Sequence, residues 1–399
     1  MVTPPLGATE RLYYTDSYLR AFDAHVLDAT PHERGHAVML DRTAFFPTSG
    51  GQPNDLGVLG GTAVLDVLDS DDGTVMHVVG RSLAGAVRGE IDWPRRFDHM
   101  QQHTGQHILS QAALRAVGAQ TLSVHLGAER CTLDLDRPDL TAPQADAVED
   151  LANALVTEDR PVHTRFVEET ELASLGLRRP PKTRGVIRLV EVDGFDRSAC
   201  GGTHVRRTGE IGLIKLRRWE RYKGGVRVEF ACGGRALRDY RWKHALITDL
   251  AGALTVKDRE VGEAVARMAG QLKEREREAG ELRDRLLERE AEERLAAAEG
   301  RPKVIAAVLE GSIDEAVALA GKIVASGEAA VAFASGGRII VACAPALGID
   351  ASAVLRAVVE PLGGRGGGRK QFAQGAVPLE AQAAAIQAAR EALARGGDA

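Results

Sequence analysis

The sequence has 399 residues, of which 44% are hydrophobic and 27% charged, and its formal net charge is −5. This composition is typical of a globular protein with two or three domains. It excludes a uniformly basic nucleic-acid-binding chain, so a nucleic-acid partner would have to meet a local basic patch. The start of the chain does not resemble a signal peptide, and no run of about 18 apolar residues predicts a membrane span. The four cysteines are far apart, which favours the reducing cytoplasm over a disulfide framework.

The pattern along the chain predicts an α+β protein made of four segments. Residues 1–92 contain short apolar runs broken by Gly, Pro, Asn and Asp, which predicts a β-barrel-like N-terminal domain. Residues 93–241 mix helix and strand, and the spacing of apolar residues predicts a helix from Arg95 to Ala116. The other elements predicted in this segment are strands at 121–127, 129–136, 185–192, 209–221 and 225–233 and a helix at 142–158.

The second half of the chain predicts a helical arm and a compact module. Residues 242–300 contain one or two long helices, with a near-heptad apolar seam from Val261 to Leu286 that Arg275 interrupts. A surface arm and an intermolecular coiled coil fit this seam equally well. Residues 301–399 predict an αβ module. Its elements are strands at 303–311, 329–336 and 338–345, helices at 314–326, 351–362 and 380–395, and a glycine-rich turn at 363–370.

Two pairs of metal-binding residue types carry the clearest chemistry. His103 and His107 are four residues apart on a predicted helix, which puts both imidazoles on one face. Cys200 and His204 flank two glycines in CGGTH, a turn that can bring a thiolate and an imidazole to one ion. Three nitrogens and one soft sulfur suit a single tetrahedral Zn²⁺. From the ligand count alone, a closed structural site is favoured over a catalytic site with an open position.

The motif HTGQHILS, together with CGGTHVRRTGEIGLIKL further along, resembles the editing domain of alanyl-tRNA synthetase, and in particular the free-standing alanyl-tRNA editing proteins of the AlaX family. The segments at 12–27 and 45–57 are similar to the N-terminal barrel of that family. The segment at 363–375 is similar to its C-terminal glycine-rich module, although AVP at 376–378 replaces the further glycines that are usual there. The resemblance implies the long form of the editing protein, without the aminoacylation domain of a synthetase.

The resemblance also assigns roles to individual residues. The implied zinc ligands are His103, His107, Cys200 and His204. Thr121, with Ser123 as a second candidate, is implied to read the misacylated amino acid, although Thr121 also fits an ordinary strand position. The GGQPND residues implied to line the pocket are Gly50, Gly51, Gln52 and Asp55. The catalytic candidate is Gln106, which is neutral and lies between the two histidines, and no glutamate lies beside either motif as the general base does in H-E-x-x-H proteases.

The implied function is zinc-dependent hydrolysis of the ester that joins a wrong amino acid, serine or glycine, to the tRNA for alanine. A pocket with a partner for the serine hydroxyl would reject alanine by about 1–3 kcal/mol, because alanine leaves that partner unpaired. Basic residues are predicted to contact the tRNA phosphates, and solvated strand positions are the alternative for part of them. The predicted tRNA contacts are Arg178, Arg179, Lys182, Arg184, Arg206, Arg207, Arg217, Arg218, Arg365, Arg369 and Lys370.

Other functions share some of these features. A non-catalytic zinc module that binds tRNA would also have a closed four-ligand site. The editing domain of threonyl-tRNA synthetase shares the split metal motif, but the combination of CGGTH, GGQPND and the C-terminal module favours alanine. Phosphoesterases share the C-terminal module but need an Asp-His-His motif that this sequence lacks. No membrane partner is predicted, and a homodimer is predicted through the helical arm or the C-terminal module.

Overall fold

The computed structural model describes residues 9–70, 72–180 and 184–396 of the chain. The chain divides into two compact units, Met1–Leu250 and Ala251–Ala399. Both units combine helices with β-sheet, which confirms the predicted α+β class. The finer division at residues 92, 241 and 300 stays a prediction.

The first unit begins with a closed six-stranded barrel, as the broken apolar runs predicted. The strands of this region are β1 (Glu10–Arg11), β2 (Ala21–His32), β3 (Gly35–Leu40), β4 (Arg42–Thr43), β5 (Gly57–Leu59), β6 (Thr62–Asp69), β7 (Val75–Val79) and β8 (Ala86–Ile91). The barrel order is β2-β3-β7-β6-β5-β8, and β1 pairs with β4 in parallel. Alternate residues of these strands fill the interior, where Phe45 and His77 are fully buried.

The rest of the first unit places helices against a four-stranded sheet. Its elements are α1 (Trp93–Val117), β9 (Thr121–Leu126), β10 (Cys131–Leu135), α2 (Ala142–Thr157), β11 (Val162–Glu168), β12 (Val186–Val192), β13 (Asp196–Ala199), β14 (Ile214–Tyr222), β15 (Gly225–Cys232) and α3 (Gly233–Leu254). The larger sheet has the order β14-β15-β10-β9, and β11-β12-β13 form a second sheet. Residues of α1, α2 and the larger sheet share one apolar core, which holds α1 in a fixed position.

Three elements of this region differ from the sequence prediction. The strand predicted from 209 begins only at Ile214, because Thr208–Ile211 form a 3₁₀ turn that ends at Gly212 with a φ of +69°. The strands β11 and β13 were not predicted. Only Val162 and Val167 of β11 are buried, and the three exposed polar residues 163–165 lie between them, so the strand has neither a continuous apolar run nor a regular alternation.

The second unit is a sheet with helices on both faces. Its elements are α4 (Val261–Ala297), β16 (Lys303–Val308), α5 (Ile313–Val324), β17 (Ala329–Ser335), β18 (Arg338–Cys343), α6 (Ala351–Val359), β19 (Arg365–Arg369), β20 (Phe372–Ala376) and α7 (Gln382–Arg395). The strand order is β16-β17-β18-β20-β19. One core joins the sheet to α6 and α7, and another joins it to α5 and the end of α4.

The glycine-rich segment predicted as a turn is instead largely the edge strand β19, so that prediction was wrong. The glycines allow an unusually close pairing with β20. A Cβ atom on Gly368 would lie 2.3 Å from the Phe372 carbonyl oxygen, and one on Gly366 would lie 2.7 Å from the Gly375 Cα. Gly367 faces open space. The strand pairing therefore requires glycine at 366 and 368, and the strand leaves a flat surface between Arg365 and Arg369.

Candidate metal centre

The helix α1 carries the first half of the centre. Its start is fixed by the Asp92 side chain, which accepts a hydrogen bond from the Arg95 backbone N–H at 3.2 Å. Its end is fixed by Gly118, whose φ of +67° suits only glycine without strain. Between these ends His103 and His107 lie one turn apart on the buried face, as predicted.

The second half of the centre is the CGGTH turn. Arg188 on β12 is buried and donates hydrogen bonds to the backbone oxygens of Cys200 at 2.8 Å and Gly202 at 2.9 Å. A Cβ atom on Gly202 would lie 2.2 Å from the His103 Cε1 atom. Glycine is therefore required at this position for the turn to approach the histidine helix.

The four predicted ligands come together in one cluster. One ligand atom from each of His103, His107, Cys200 and His204 lies within 4.8 Å of every other. The Cys200 Sγ is 3.4 Å from the His103 Nε2 and 3.3 Å from the His204 Nε2. The three histidines are buried. We call these four residues the metal cluster.

Each histidine of the metal cluster has a polar neighbour at its Nδ1 atom. Gln52 accepts from the His103 Nδ1 at 2.8 Å, and the Thr104 hydroxyl lies 3.0 Å from the His204 Nδ1. The Asp196 carboxylate lies 3.3 Å from the His107 Nδ1. Supporting contacts of this kind orient metal-binding histidines in known metal sites. They leave the Nε2 atoms to converge on one point, which fits a bound cation.

The charge states of Cys200 and His204 suit cation binding, whereas His107 would lose a proton on binding a cation. Burial would raise the pKa of the Cys200 thiol, but His103 and His204 outweigh burial and hold that pKa well below its usual value. Burial and the neighbouring His103 lower the pKa of His204 to about 3, which keeps it neutral. Burial alone would lower the pKa of His107. The neighbouring Asp196 and Cys200 outweigh burial and raise that pKa to about 9. A thiolate and imidazole nitrogens suit Zn²⁺.

The GGQPND loop supports the cluster from the barrel side. Gln52 is fully buried, and its side chain bonds Thr203 as well as His103. Gly50 and Gly51 are exposed with positive φ angles, and the Gly51 oxygen accepts from the Leu126 N–H at 3.0 Å. Asp55 faces inward and forms a fully buried ion pair with Arg96. The pocket-lining role predicted for the four loop residues stays a prediction, and for Asp55 the carboxylate is already paired.

The predicted amino-acid readers occupy different surroundings. The Thr121 hydroxyl is buried and donates to the Ser110 Oγ at 2.8 Å, and the Gln106 side-chain N–H also donates to Ser110, at 2.7 Å. Ser123 is exposed and bonds Asp134 at 2.6 Å. The structure thus brings Thr121 and Gln106 together through Ser110, a residue that the sequence analysis missed.

The predicted tRNA-binding residues fall into several groups. Arg178 turns inward and bonds Asp196 at 2.8 Å, so it supports the metal cluster. Arg206 and Arg207 are exposed and pair with Asp16 and Asp159. Arg217 and Arg218 surround the buried Glu229 carboxylate together with Arg130. The other exposed candidates are Arg179, Arg184, Arg365, Arg369 and Lys370. Lys182 lies outside the described residues.

Several contacts of the site were missed because the partners are distant in sequence. Gln52 and His103 are 51 residues apart, and Thr104 and His204 are 100 apart. Ser110 had a usable signal, since it lies on the same helical face as the two histidines of HTGQHILS. For Asp196 the sequence carried no signal other than its nearness to CGGTH.

Comparison with known proteins identifies two domains. A model described as the Threonyl and Alanyl tRNA synthetase second additional domain matches residues 187–229, which include Cys200 and His204. A model of the DHHA1 domain matches residues 301–395. Among the described residues, no helix is both long and apolar enough to cross a bilayer.

Individual relatives extend the match along the chain. The alanine–tRNA ligase of Thermococcus kodakarensis is 33% identical over 398 residues, which are 95% of this chain and 43% of the ligase. The alanyl-tRNA editing protein Aarsd1-B of Xenopus laevis is 39% identical over 212 residues, 51% of each chain. The C-Ala domain of Aquifex aeolicus alanyl-tRNA synthetase is 24% identical with a TM-score of 0.22, covering 24% of this chain and 97% of that domain. The chain spans less than half the length of the ligases that it matches.

Proposed function

Because this chain carries the tRNA synthetase second additional domain and the DHHA1 domain, and is homologous to alanyl-tRNA synthetases and to an alanyl-tRNA editing protein, we propose that it is a hydrolase that edits mischarged tRNA for alanine in trans. Its substrate is the ester of serine or glycine with that tRNA. The reaction releases the wrong amino acid and leaves the tRNA free to be charged again, without aminoacylation by this chain.

One observation carries the proposal. Two short motifs from distant parts of the chain meet as one buried metal cluster, and a polar group formed by Gln106, Ser110 and Thr121 begins on the same helix. A metal cluster of three histidines and one cysteine suits Zn²⁺, and the hydroxyl groups beside it suit recognition of a small polar side chain. Both features are needed to bind and select an aminoacyl ester.

The chain's own residues orient the site rather than supply a strong base. A bound Zn²⁺ would polarise the ester carbonyl or hold the amino group of the substrate. Asp196 is an unsuitable general base, because its carboxylate accepts hydrogen bonds from Arg178 and Ser198 and lies 3.3 Å from the His107 Nδ1. Gln106 is neutral and already donates to Ser110. We therefore propose that a water, held in place by the site and by the neighbouring tRNA hydroxyl, attacks the ester carbonyl; the bond to the tRNA oxygen breaks, and that oxygen leaves with a proton from the water.

Amino-acid selection is assigned to Thr121 rather than Ser123. Thr121 is buried next to Ser110 on the helix that carries the metal cluster. Ser123 is exposed and its hydroxyl is occupied by Asp134. We expect Thr121→Val to reduce the preference for seryl over alanyl ester about 5- to 100-fold, since the methyl keeps the volume while the hydroxyl is lost. Ser123→Ala should leave the preference unchanged.

Binding of the tRNA is assigned to exposed arginines in both units. In the first unit, Arg206 and Arg207 lie two and three residues after the metal ligand His204. In the second unit Arg365 and Arg369 flank the glycines of β19, and Lys370 follows them. Side chains of this kind bind phosphates without reading sequence. The cytoplasm is the proposed location, because its reducing conditions keep Cys200 as a free thiolate.

The decisive experiment measures ester loss directly. Purified protein is incubated with seryl-, glycyl- and alanyl-tRNA for alanine, and with seryl-tRNA for threonine, with and without a zinc chelator. We expect hydrolysis of the seryl and glycyl esters on the alanine tRNA, and its loss with chelator or with His103→Ala. His25→Ala, an exposed histidine of the barrel, is the matched control. Hydrolysis limited to the threonine tRNA would contradict the assignment.

The four-ligand cluster also favours a second candidate, a non-catalytic zinc module that binds tRNA. Structural zinc sites are usually closed by four protein ligands, as the cluster here would be, whereas catalytic sites keep one position open. This candidate predicts tRNA binding with no ester loss above the uncatalysed rate. The spectrum of the cobalt-substituted protein can show whether a substrate analogue replaces one of the four ligands. Such an exchange would instead support the hydrolase.

A further inference from the structure

A buried polar group lies beside the metal cluster, and we call Gln106, Ser110 and Thr121 the hydroxyl cluster. Their exposed fractions are 5%, 1% and 4%. The Thr121 hydroxyl and the Gln106 side-chain N–H both donate to the Ser110 Oγ, at 2.8 Å and 2.7 Å. Buried polar groups are costly unless paired, so a chain of three such groups needs either mutual pairing or a ligand.

The helix period puts Ser110 next to the metal ligands. Ser110 follows His103 by seven residues and His107 by three, and both separations return a side chain to nearly the same face of an α-helix. Gly118 then ends α1, and the N–H of Ala119 bonds back to the Ala113 oxygen at 3.2 Å. This tight reversal brings Thr121, the first residue of β9, back onto the helix beside Ser110.

The hydrogen bond to Ser110 limits the further hydrogen bonds that the Thr121 hydroxyl can make. The bond to Ser110 uses one of the donor and acceptor positions of the Thr121 hydroxyl and fixes its orientation, so the remaining positions point in defined directions toward any further partner. Ser110 in turn is fixed by the second donor, Gln106.

We propose that Ser110 is a positioning residue for amino-acid selectivity, which fixes the orientation of the Thr121 hydroxyl so that it meets a hydroxyl on the substrate side chain. This inference rests on the proposed editing function. Serine can form a hydrogen bond with the Thr121 hydroxyl. Alanine and glycine cannot, and they leave a buried hydroxyl without its second partner. Serine is therefore the preferred substrate, ahead of glycine.

The role of Ser110 predicts a specific pattern of mutant effects. Ser110→Ala removes the partner that orients the Thr121 hydroxyl, which can then turn away from the substrate, so the ratio of seryl to alanyl kcat/KM falls about 10-fold or more. Ser110→Thr keeps a hydroxyl at this position and restores the ratio. Because Ser110 acts through Thr121, the double variant Ser110→Ala/Thr121→Val has the same ratio as Thr121→Val alone. Thr132→Val, a buried threonine on β10, is the control and keeps the wild-type ratio.

The test separates this inference from the proposed function. Hydrolysis of the three esters is measured for the zinc-loaded full chain and each variant, with zinc content and melting temperature recorded. Binding of non-hydrolysable 3′-serylamino- and 3′-alanylamino-3′-deoxyadenosine is measured in parallel. A seryl preference in binding that Ser110→Ala abolishes supports the inference even if no ester is cleaved, in which case only the hydrolase assignment fails. An unchanged preference in Ser110→Ala, or additive losses in the double variant, overturns the inference.

Discussion

Replacing Gln52 with alanine removes the link between the barrel loop and the metal cluster. The Gln52 side chain is fully buried and makes three hydrogen bonds. Its Oε1 accepts from the His103 Nδ1 at 2.8 Å and from the Thr203 N–H at 3.2 Å, and its Nε2 donates to the Thr203 hydroxyl at 2.8 Å. The variant leaves the His103 and Thr203 donors without a partner in a buried site.

The cost of this variant follows from those contacts. An unpaired buried donor costs about 1–3 kcal/mol, so we expect the free energy of unfolding of the metal-free protein to fall by about 2–4 kcal/mol. Loss of a partner that orients a ligand lowers metal affinity about 10- to 100-fold, because His103 no longer presents a fixed Nε2. A tenfold change in affinity corresponds to about 1.4 kcal/mol.

Competition with a chromophoric chelator measures the zinc affinity, and chemical denaturation measures the unfolding free energy. Gln102→Ala is the matched control. Gln102 is also buried and precedes His103, but it bonds the backbone of Cys232 and no metal ligand. The Gln102→Ala variant should have a lower free energy of unfolding and an unchanged zinc affinity. Equal loss of zinc affinity in the two variants would show that loosening of α1, and not the bond to His103, sets the affinity.

Other predictions concern acid stability, tRNA binding and self-association. Burial lowers the pKa of His77 from 6.5 to about 4, so the unfolded chain binds a proton that the folded barrel does not. Its contribution to the unfolding free energy therefore falls by up to about 3 kcal/mol as the pH drops from 6.5 to 4, and denaturation of His77→Gln should lack this loss. Changing Arg365 and Arg369 to Gln should reduce the salt dependence of tRNA affinity by one to two counterions, whereas an unchanged slope would exclude contact with phosphate. Leu272 and Leu282 on α4 are exposed, and changing both to Glu should shift a dimer to monomer in sedimentation; a wild-type monomer at high concentration would exclude the seam as an interface.

The sequence was sufficient for elements with strong local signals. The helix α1 was predicted to within two residues at its start and one at its end, because its apolar spacing is regular and Gly118 stops it. The barrel was expected from short apolar runs separated by turn residues. Local signals failed at β19, where glycines serve close strand pairing rather than a turn. They also failed at β11, whose pairing with β12 depends on residues far along the chain.

The same contrast holds for the candidate site. The four residues of the metal cluster carry their own spacing signals, and they meet as predicted, while the identity of the ion stays a prediction. The residues that orient them carry no such signal. Gln52 was expected at the pocket wall, and its actual partner is His103, a contact that depends on how the barrel packs on α1. Long-range contacts of this kind are set by tertiary packing, which no local pattern encodes.

The separation of the two halves of the metal cluster has a consequence for synthesis on the ribosome. Cys200 and His103 are 97 residues apart. At about 5–20 residues per second, the histidine helix is made about 5–20 seconds before the CGGTH turn. During that interval only two ligands are present, so any ion they bind exchanges freely. Firm capture of an ion would wait until Arg188 has fixed the turn against the helix, so we expect any metal loading to be a late event in the maturation of the first unit.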